Sequence, residues 1–192
     1  MLKWLVRRWI AAFEQAYDYD MDYVRDMLEV SPRAVRVFGR IGALGQYRRD
    51  VPIEAYFAAK LVAARWEDCG PCTQLCVIMA ERAGVAPAML RAVLTRDERA
   101  MTEETRLGFR FAEAVLAHEP AADALREEVV ARWGRDAVIS LGFGIAAARV
   151  FPTVKYALGH GKACTRIVVG GSTVTFRHDG VSPTADVVIH TA

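Results

Sequence analysis

From Leu2 to about Leu158 apolar residues recur at spacings of three and four, the period of helices that each bury one side. That pattern restricts the chain to a mainly helical fold. Leu2, Leu5, Trp9, Ile10 and Phe13 begin it, with Lys3, Arg7 and Arg8 between them. Such a basic amphipathic helix docks on its own domain or on a sister subunit, or else lies on a membrane surface. "DYDMDYVRDMLEV" predicts a second helix, and Ser31-Pro32 a start signal for a third. Asp50-Val51-Pro52 opens an Ala-rich helix to about Trp66. A helix through "CTQLCVIMAERAG" stops at Gly84, and Pro87 begins a short one to about Leu94. Thr102 caps the next, and Pro120 starts another. The last long helix runs from about Asp136 to Leu158 with Pro152 inside it, where a lost backbone bond predicts a kink.

The pattern changes after Lys162. "RIVVGGSTVTF" and "ADVVIH" are β-branched and alternate in polarity, with Gly, Asp and Pro turn signals between them. A β-hairpin or strand tail is expected there. A strand pair is marginal alone, so it must pack on the helices or pair across a subunit boundary. The expected organisation is an N-terminal helical extension over 1–50, a helical core over 51–162 and a strand tail over 163–192.

Composition excludes several classes. Hydrophobic residues make up 53% and charged residues 25% of 192 residues, the balance of a folded globular chain. The net charge of +2 gives no field that calls for nucleic acid. Arg33, Arg36, Arg40, Arg48 and Arg49 form a local basic region, read as a solvated helix face. The longest weakly charged run, 137–151, is interrupted by Arg149 and falls short of the roughly 20 residues of a membrane span. The first residues lack the apolar core and cleavage site of a secretory leader, and a cytoplasmic location is expected.

The chemistry lies in "EDCGPCTQLC", residues 67–76. Cys69, Cys72 and Cys76 stand at i, i+3 and i+7, one stripe of a helix. Asp68 is the expected N-cap, and Pro71 is tolerated in the first turn. The positive end of the helix dipole favours thiolates at Cys69 and Cys72, Cys69 more strongly. Two thiols three residues apart close a disulfide with little chain movement, as two-electron thiol chemistry requires. "CGPC" resembles the thioredoxin dithiol, but no βαβ pattern surrounds it. Cys76, in "LCVIMA", is read first as a small buried hydrophobe and second as a third redox thiol. A rival use of Cys69, Cys72 and Cys76 is a zinc or iron–sulfur site, though three ligands on one helix stripe make an awkward tripod. A third class is a non-catalytic oligomeric scaffold. Of the histidines, His118 reads as a helix-end cation, His160 as a loop residue, and His178 and His190 as surface residues of the tail. Cys164 is a lone thiol without an assigned role.

From about Pro52 to Gly159 the sequence resembles the alkyl hydroperoxidase D-like members of the carboxymuconolactone decarboxylase family. A helix leading into C-x-x-C, the helix end "AERAGV", then "TEETRLGFRFAEAVL" and a long final helix ending "KYALG" carry the likeness. The resemblance implies an all-α, homo-oligomeric bundle without a cofactor. It also implies a dithiol that cycles against a small peroxide or disulfide and is reset by an external dithiol. By that likeness Cys72 attacks and Cys69 resolves. The family's relay histidine, four residues after the second cysteine, is replaced here by Cys76. Twelve residues before Cys69, where the relay glutamate belongs, stands Phe57; Glu54 is one turn further away, and Glu67 and Asp68 are the nearest carboxylates. The relay is then either rebuilt from Glu54, Glu67 or a distant histidine, or absent.

Overall fold

The computed structural model describes residues 2–163, 166–176 and 187–190, and it is an all-α protein with a small C-terminal sheet. The helices among the described residues are α1 (Leu2–Tyr17), α2 (Asp22–Val30), α3 (Pro32–Leu44), α4 (Ile53–Trp66), α5 (Gly70–Arg82), α6 (Pro87–Thr95), α7 (Glu103–Leu116), α8 (Ala121–Trp133) and α9 (Arg135–Ala157). A 3-10 turn at Glu98–Ala100 links α6 to α7. The start signals act as their chemistry dictates. Ser31 Oγ accepts the Ala34 N–H ahead of α3, and Thr102 Oγ1 accepts the Thr105 N–H ahead of α7. Gly84, at φ +90°, follows α5.

Helix α4 is the axle. Its residues are buried on nearly every side, from Ala55 to Ala64, as expected of an Ala-rich helix without a polar face. It packs against α5, α6, α7 and α9. The small side chains let the neighbours come close. At Gly108 of α7 a Cβ would lie 2.7 Å from Ala55 Cα, so the two backbones touch where neither side chain intervenes. At the site, Val62 and Ala63 near the end of α4 and Cys76, Val77 and Ala80 of α5 belong to one core that runs from Val51 to Val174, with Trp66 packed against it.

Helix α9 corrects one expectation. At 23 residues it is long and apolar enough, by length and composition, to cross a membrane, because the helix extends beyond the run the sequence marked. It runs on as one element through the buried Pro152. Ala137, Leu141, Gly144, Ile145 and Ala147 are buried, and it packs against α3, α4 and α8, the arrangement of a core helix. Ile139 and Phe143 point outward, and Tyr47 packs its ring edge-on to Phe143 at 5.6 Å.

The tail is a three-stranded antiparallel sheet in the order β1 (Arg166–Val169), β2 (Ser172–Phe176), β3 (Val187–His190). Gly170 and Gly171 both have positive φ and close the tight turn that pairs Val169 with Ser172. Ile167, Val169 and Val174 join the main core. The outer edge of β1 does not stay open. The Gln74 side chain donates to Val168 O (3.0 Å) and accepts from Val168 N–H (2.8 Å), as a neighbouring strand would. Glu81 accepts the Gly170 N–H and Arg91 donates to Val169 O. Of the two expected placements, the tail takes the helices of its own chain.

The N-terminal extension builds a second, smaller core from Ile10, Tyr19, Met21, Tyr23, Val24, Leu28 and Val35, with Leu75 of α5 and Val154 of α9 packed against it. The apolar stripe read on α1 is split by this docking. Ile10 and Phe13 turn inward, whereas Trp4, Leu5 and Trp9 remain exposed. The face that meets the rest of the chain is Val6, Ile10, Phe13 and Tyr17, at spacings of four, three and four.

Candidate redox site at the start of helix α5

Helix α4 ends at Trp66, and the chain reverses through Asp68, which adopts the left-handed φ of +50° that aspartate tolerates. Asp68 is therefore not the N-cap. That role falls one residue later, to Cys69, which is extended (φ −102°) and whose Sγ accepts the Cys72 N–H at 3.3 Å. Pro71 occupies the first turn, where no N–H is needed. Further bonds fix the corner: Thr73 Oγ1 to Cys69 O (2.9 Å), Gly70 N–H to Lys162 O (3.0 Å) and Tyr156 OH to Asp68 O (2.9 Å). Cys69 and Cys72 are joined as a disulfide, with Cα atoms 5.3 Å apart. The two residues differ in access. Cys69 is 0% exposed and Cys72 is 8% exposed, so a reagent meets Cys72 first.

Two residues that sequence reasoning missed complete the surroundings. The Tyr19 hydroxyl lies 3.7 Å from Cys72 Sγ. Lys155 Nζ donates to the Tyr19 oxygen at 3.4 Å and sits over the rings of Tyr19 (4.5 Å) and Tyr23 (5.1 Å). Tyr19 arrives from the loop between α1 and α2, and Lys155 from α9. Lys155 is only 2% exposed. Burial pushes its amine below the usual lysine range; Asp20 opposes that and Lys162 adds to it. Burial likewise raises Tyr19 far above an ordinary phenol, with Tyr23 and Asp20 adding to the effect. Tyr23 is pushed up to about 12, again chiefly by burial. Asp20 is lowered, first by the Asp22 N–H and then by Lys155 and Lys162, against a smaller opposing effect of burial. One signal for Lys155 was present in the sequence. It continues the inward series Leu141, Ile145, Ala148, Pro152 at spacings of three and four, all buried but the half-buried Ala148, and so is a core position that holds a charge. Tyr19, in a loop, had no such signal.

The residues named from sequence part company here. Glu67 is close in sequence, but its carboxylate is engaged by Arg149 Nε (2.5 Å) and the Thr153 hydroxyl (3.4 Å), a clamp between α4 and α9. Glu54 is in the first turn of α4 and accepts from the Thr102 hydroxyl at 3.3 Å. Thirteen residues of helix, ~20 Å at 1.5 Å per residue, separate it from the cysteine corner. Cys76 is buried in the main core rather than gathered with the pair. Its thiol is pushed up to about 11 by burial, which outweighs the pull of Lys60. His160 pairs with Asp26 at 2.7 Å, and His118 follows α7 in a left-handed turn (φ +55°). Cys164 and His178 lie outside the described residues. As for metal ligation, the sulfurs of Cys69 and Cys72 are bonded to each other. Among the described residues the one close trio of ligand types is Glu14, Asp20 and Asp22, where Arg25 pairs with both Glu14 and Asp22.

A scan against protein-family models, a search of curated proteins and a search of solved structures each found no match. The chemistry of the site carries the functional reading. It holds a two-cysteine disulfide at a helix start, one sulfur capped by a backbone N–H and the other touched by a buried phenol.

Proposed function

We propose that this chain is a thiol–disulfide oxidoreductase of the alkyl hydroperoxidase D-like kind, with a small hydroperoxide or disulfide as substrate and an external dithiol as reductant. The observation that carries the reading is the Cys69–Cys72 disulfide at the start of α5, with its two residues unequally buried. Cys72, the more exposed, is the attacking thiol, and Cys69 resolves. The Cys72 thiolate takes the outer oxygen of a hydroperoxide. The O–O bond breaks, the leaving alkoxide takes a proton from solvent and departs as the alcohol, and Cys72 becomes a sulfenic acid. The Cys69 thiolate then attacks that sulfur and expels hydroxide, which takes a proton from solvent as water, closing the disulfide. With a disulfide substrate the intermediate is instead a mixed disulfide, and two thiols leave. A dithiol donor returns two electrons and two protons and is itself oxidised. Cys69 suits the resolving role because its sulfur is held by the Cys72 N–H at the positive helix end, which stabilises its thiolate inside the protein.

The test is a thiol count with mapping. The chain has four cysteines, so reduced, denatured protein titrates four thiols. After one equivalent of hydrogen peroxide the count should fall by two, with Cys69 and Cys72 joined in the peptide map, and dithiothreitol should restore it. Cys72→Ser should lose the rapid reaction, and Cys69→Ser should trap a sulfenic acid or mixed disulfide on Cys72. A peroxide-treated protein whose count is unchanged, or in which other sulfurs join, overturns the proposal.

A further inference from the structure

Neither candidate acid is placed at the disulfide, yet Cys72 requires a proton when it departs as a thiol from its mixed disulfide with the reductant. A disulfide sulfur carries no hydrogen, so in the 3.7 Å contact the Tyr19 hydroxyl is the donor and Cys72 Sγ the acceptor. The Tyr19 oxygen in turn accepts from Lys155 Nζ at 3.4 Å. The donors therefore line up in one direction, from amine to phenol to the sulfur that leaves. The line is shut off from water: Tyr19 is 5% and Lys155 2% exposed. Among the described residues Lys155 makes no ion pair within 4.0 Å. The charged and titratable groups facing it are Tyr19, Tyr23 and Asp20 from the α1–α2 region and Lys162 beyond α9.

We infer that Tyr19 and Lys155 form the proton relay of Cys72, Tyr19 as a catalytic residue in contact with the reacting sulfur and Lys155 as the positioning residue that supplies and accepts the proton through it. The inference rests on the dithiol reading and deepens it. On reduction, the donor's first thiolate bonds to Cys72, the more exposed of the pair, and the Cys69–Cys72 bond breaks with both of its electrons on Cys69, whose thiolate the Cys72 N–H holds. The donor's second thiolate then bonds to its own first sulfur, and the bond to Cys72 breaks with both electrons remaining on Cys72. Tyr19 passes its proton to Cys72, and Lys155 passes one to Tyr19, ending as a neutral amine. In the oxidative direction the reduced Cys72 thiol gives its proton to Tyr19, whose own goes to the Lys155 amine, leaving a Cys72 thiolate beside an ammonium. No electrons move in either transfer. Burial lowers the amine's affinity for a proton and so brings it nearer to that of a thiol, the match that two-way transfer needs. Two structural consequences follow. The relay is split between the N-terminal extension and α9, so the extension is part of the site. Cys69, served by a backbone N–H instead, needs no relay.

The test is the pH dependence of Cys72 alkylation by iodoacetamide in the reduced full-length protein, resolved by peptide mass spectrometry. Wild type should show a Cys72 midpoint below that of an ordinary thiol. Tyr19→Phe and Lys155→Met should each raise that midpoint by about one unit, a tenfold slower reaction at neutral pH. The double variant should do no more than the worse single one, because the two act in series. A merely structural role would change the plateau rate, through access, and leave the midpoint where it was. Midpoints of both single variants within 0.3 unit of wild type overturn the relay, a threshold of about twofold in rate. Should Lys155→Met not fold, Tyr19→Phe decides alone, since it removes one oxygen and keeps the ring. The measurement reads proton affinity and not turnover. A protein that fails the peroxide thiol count but shows these shifts would refute the oxidoreductase reading and leave the Tyr19–Lys155–Cys72 coupling intact.

Discussion

Replacing Lys155 with methionine should stabilise the oxidised fold while impairing its chemistry. The side chain is 2% exposed, and among the described residues no carboxylate pairs with it within 4.0 Å. Its compensation is two aromatic faces, at 4.5 and 5.1 Å, and one hydrogen bond of 3.4 Å to Tyr19. Each ring contributes about 0.5–2 kcal/mol and the hydrogen bond about 0.5–1.5 kcal/mol. Taking an ammonium out of water costs several kcal/mol even after relaxation. Methionine has nearly the same length and no charge to desolvate, so the net expectation is a gain of about 1–3 kcal/mol at neutral pH. The sign of the pH dependence follows from the lowered amine. Below its folded-state value both folded and unfolded chains hold the proton, and the penalty is present in full. Between that value and the unfolded value of 10.5 the unfolded chain holds more protons, so stability rises with pH. Urea denaturation of oxidised wild type and Lys155→Met should therefore show the variant's advantage shrinking as pH rises from 7 toward 10. Other alkaline titrations occur in both proteins and cancel in the difference. A variant that is less stable than wild type by more than about 1 kcal/mol, by the same amount at every pH, would refute the argument that Lys155 is a desolvated charge.

Gly108→Ala should destabilise by about 3 kcal/mol or more, since the new Cβ meets the Ala55 backbone, which cannot rotate away; an unchanged urea midpoint would show that α4 and α7 are further apart. Cys76, pushed up to about 11, should resist alkylation in the folded protein at pH 8 while Cys72 reacts. Its ordinary value is 9.0, so its contribution to stability should fall between about pH 9 and 11, as the unfolded chain loses the proton first, and Cys76→Ala should remove that decline. Glu67→Gln should cost about 0.5–1 kcal/mol in thermal denaturation through the loosened Arg149 clamp, with the Cys72 alkylation midpoint unmoved. Glu54→Gln should leave the same midpoint unmoved, whereas a shift of half a unit in either variant would return that carboxylate to the relay.

Much of the architecture was legible from the sequence, because helix boundaries here are written in local chemistry. Ser31-Pro32, Thr102 and Gly84 act on backbone groups within four residues of themselves, so their effect does not depend on the rest of the fold. The β-branched tail declared itself for the same reason, as did the helix that starts at the cysteines and the pairing reach of thiols three residues apart. Local rules failed where two neighbours competed for one role. Asp68 is a good cap by residue type, but the tight reversal between α4 and α5 needs its left-handed turn, and capping passes to Cys69.

The surroundings of the sulfurs were settled only by tertiary packing. Tyr19 is 53 residues from Cys72, and Lys155 is 136 from Tyr19, separations over which no spacing rule operates. Their meeting depends on how the N-terminal extension lies over α5 and α9, and that same docking sends Ile10 inward and leaves Trp9 outside. Proximity in sequence was a poor guide to the acids, since Glu67 is two residues from Cys69 and bound elsewhere. Helical spacing and capping are short-range forces carried by the chain itself, so they can be read along it. The proton affinity of a buried group depends on which distant atoms exclude water from it, and only the folded chain brings those atoms together.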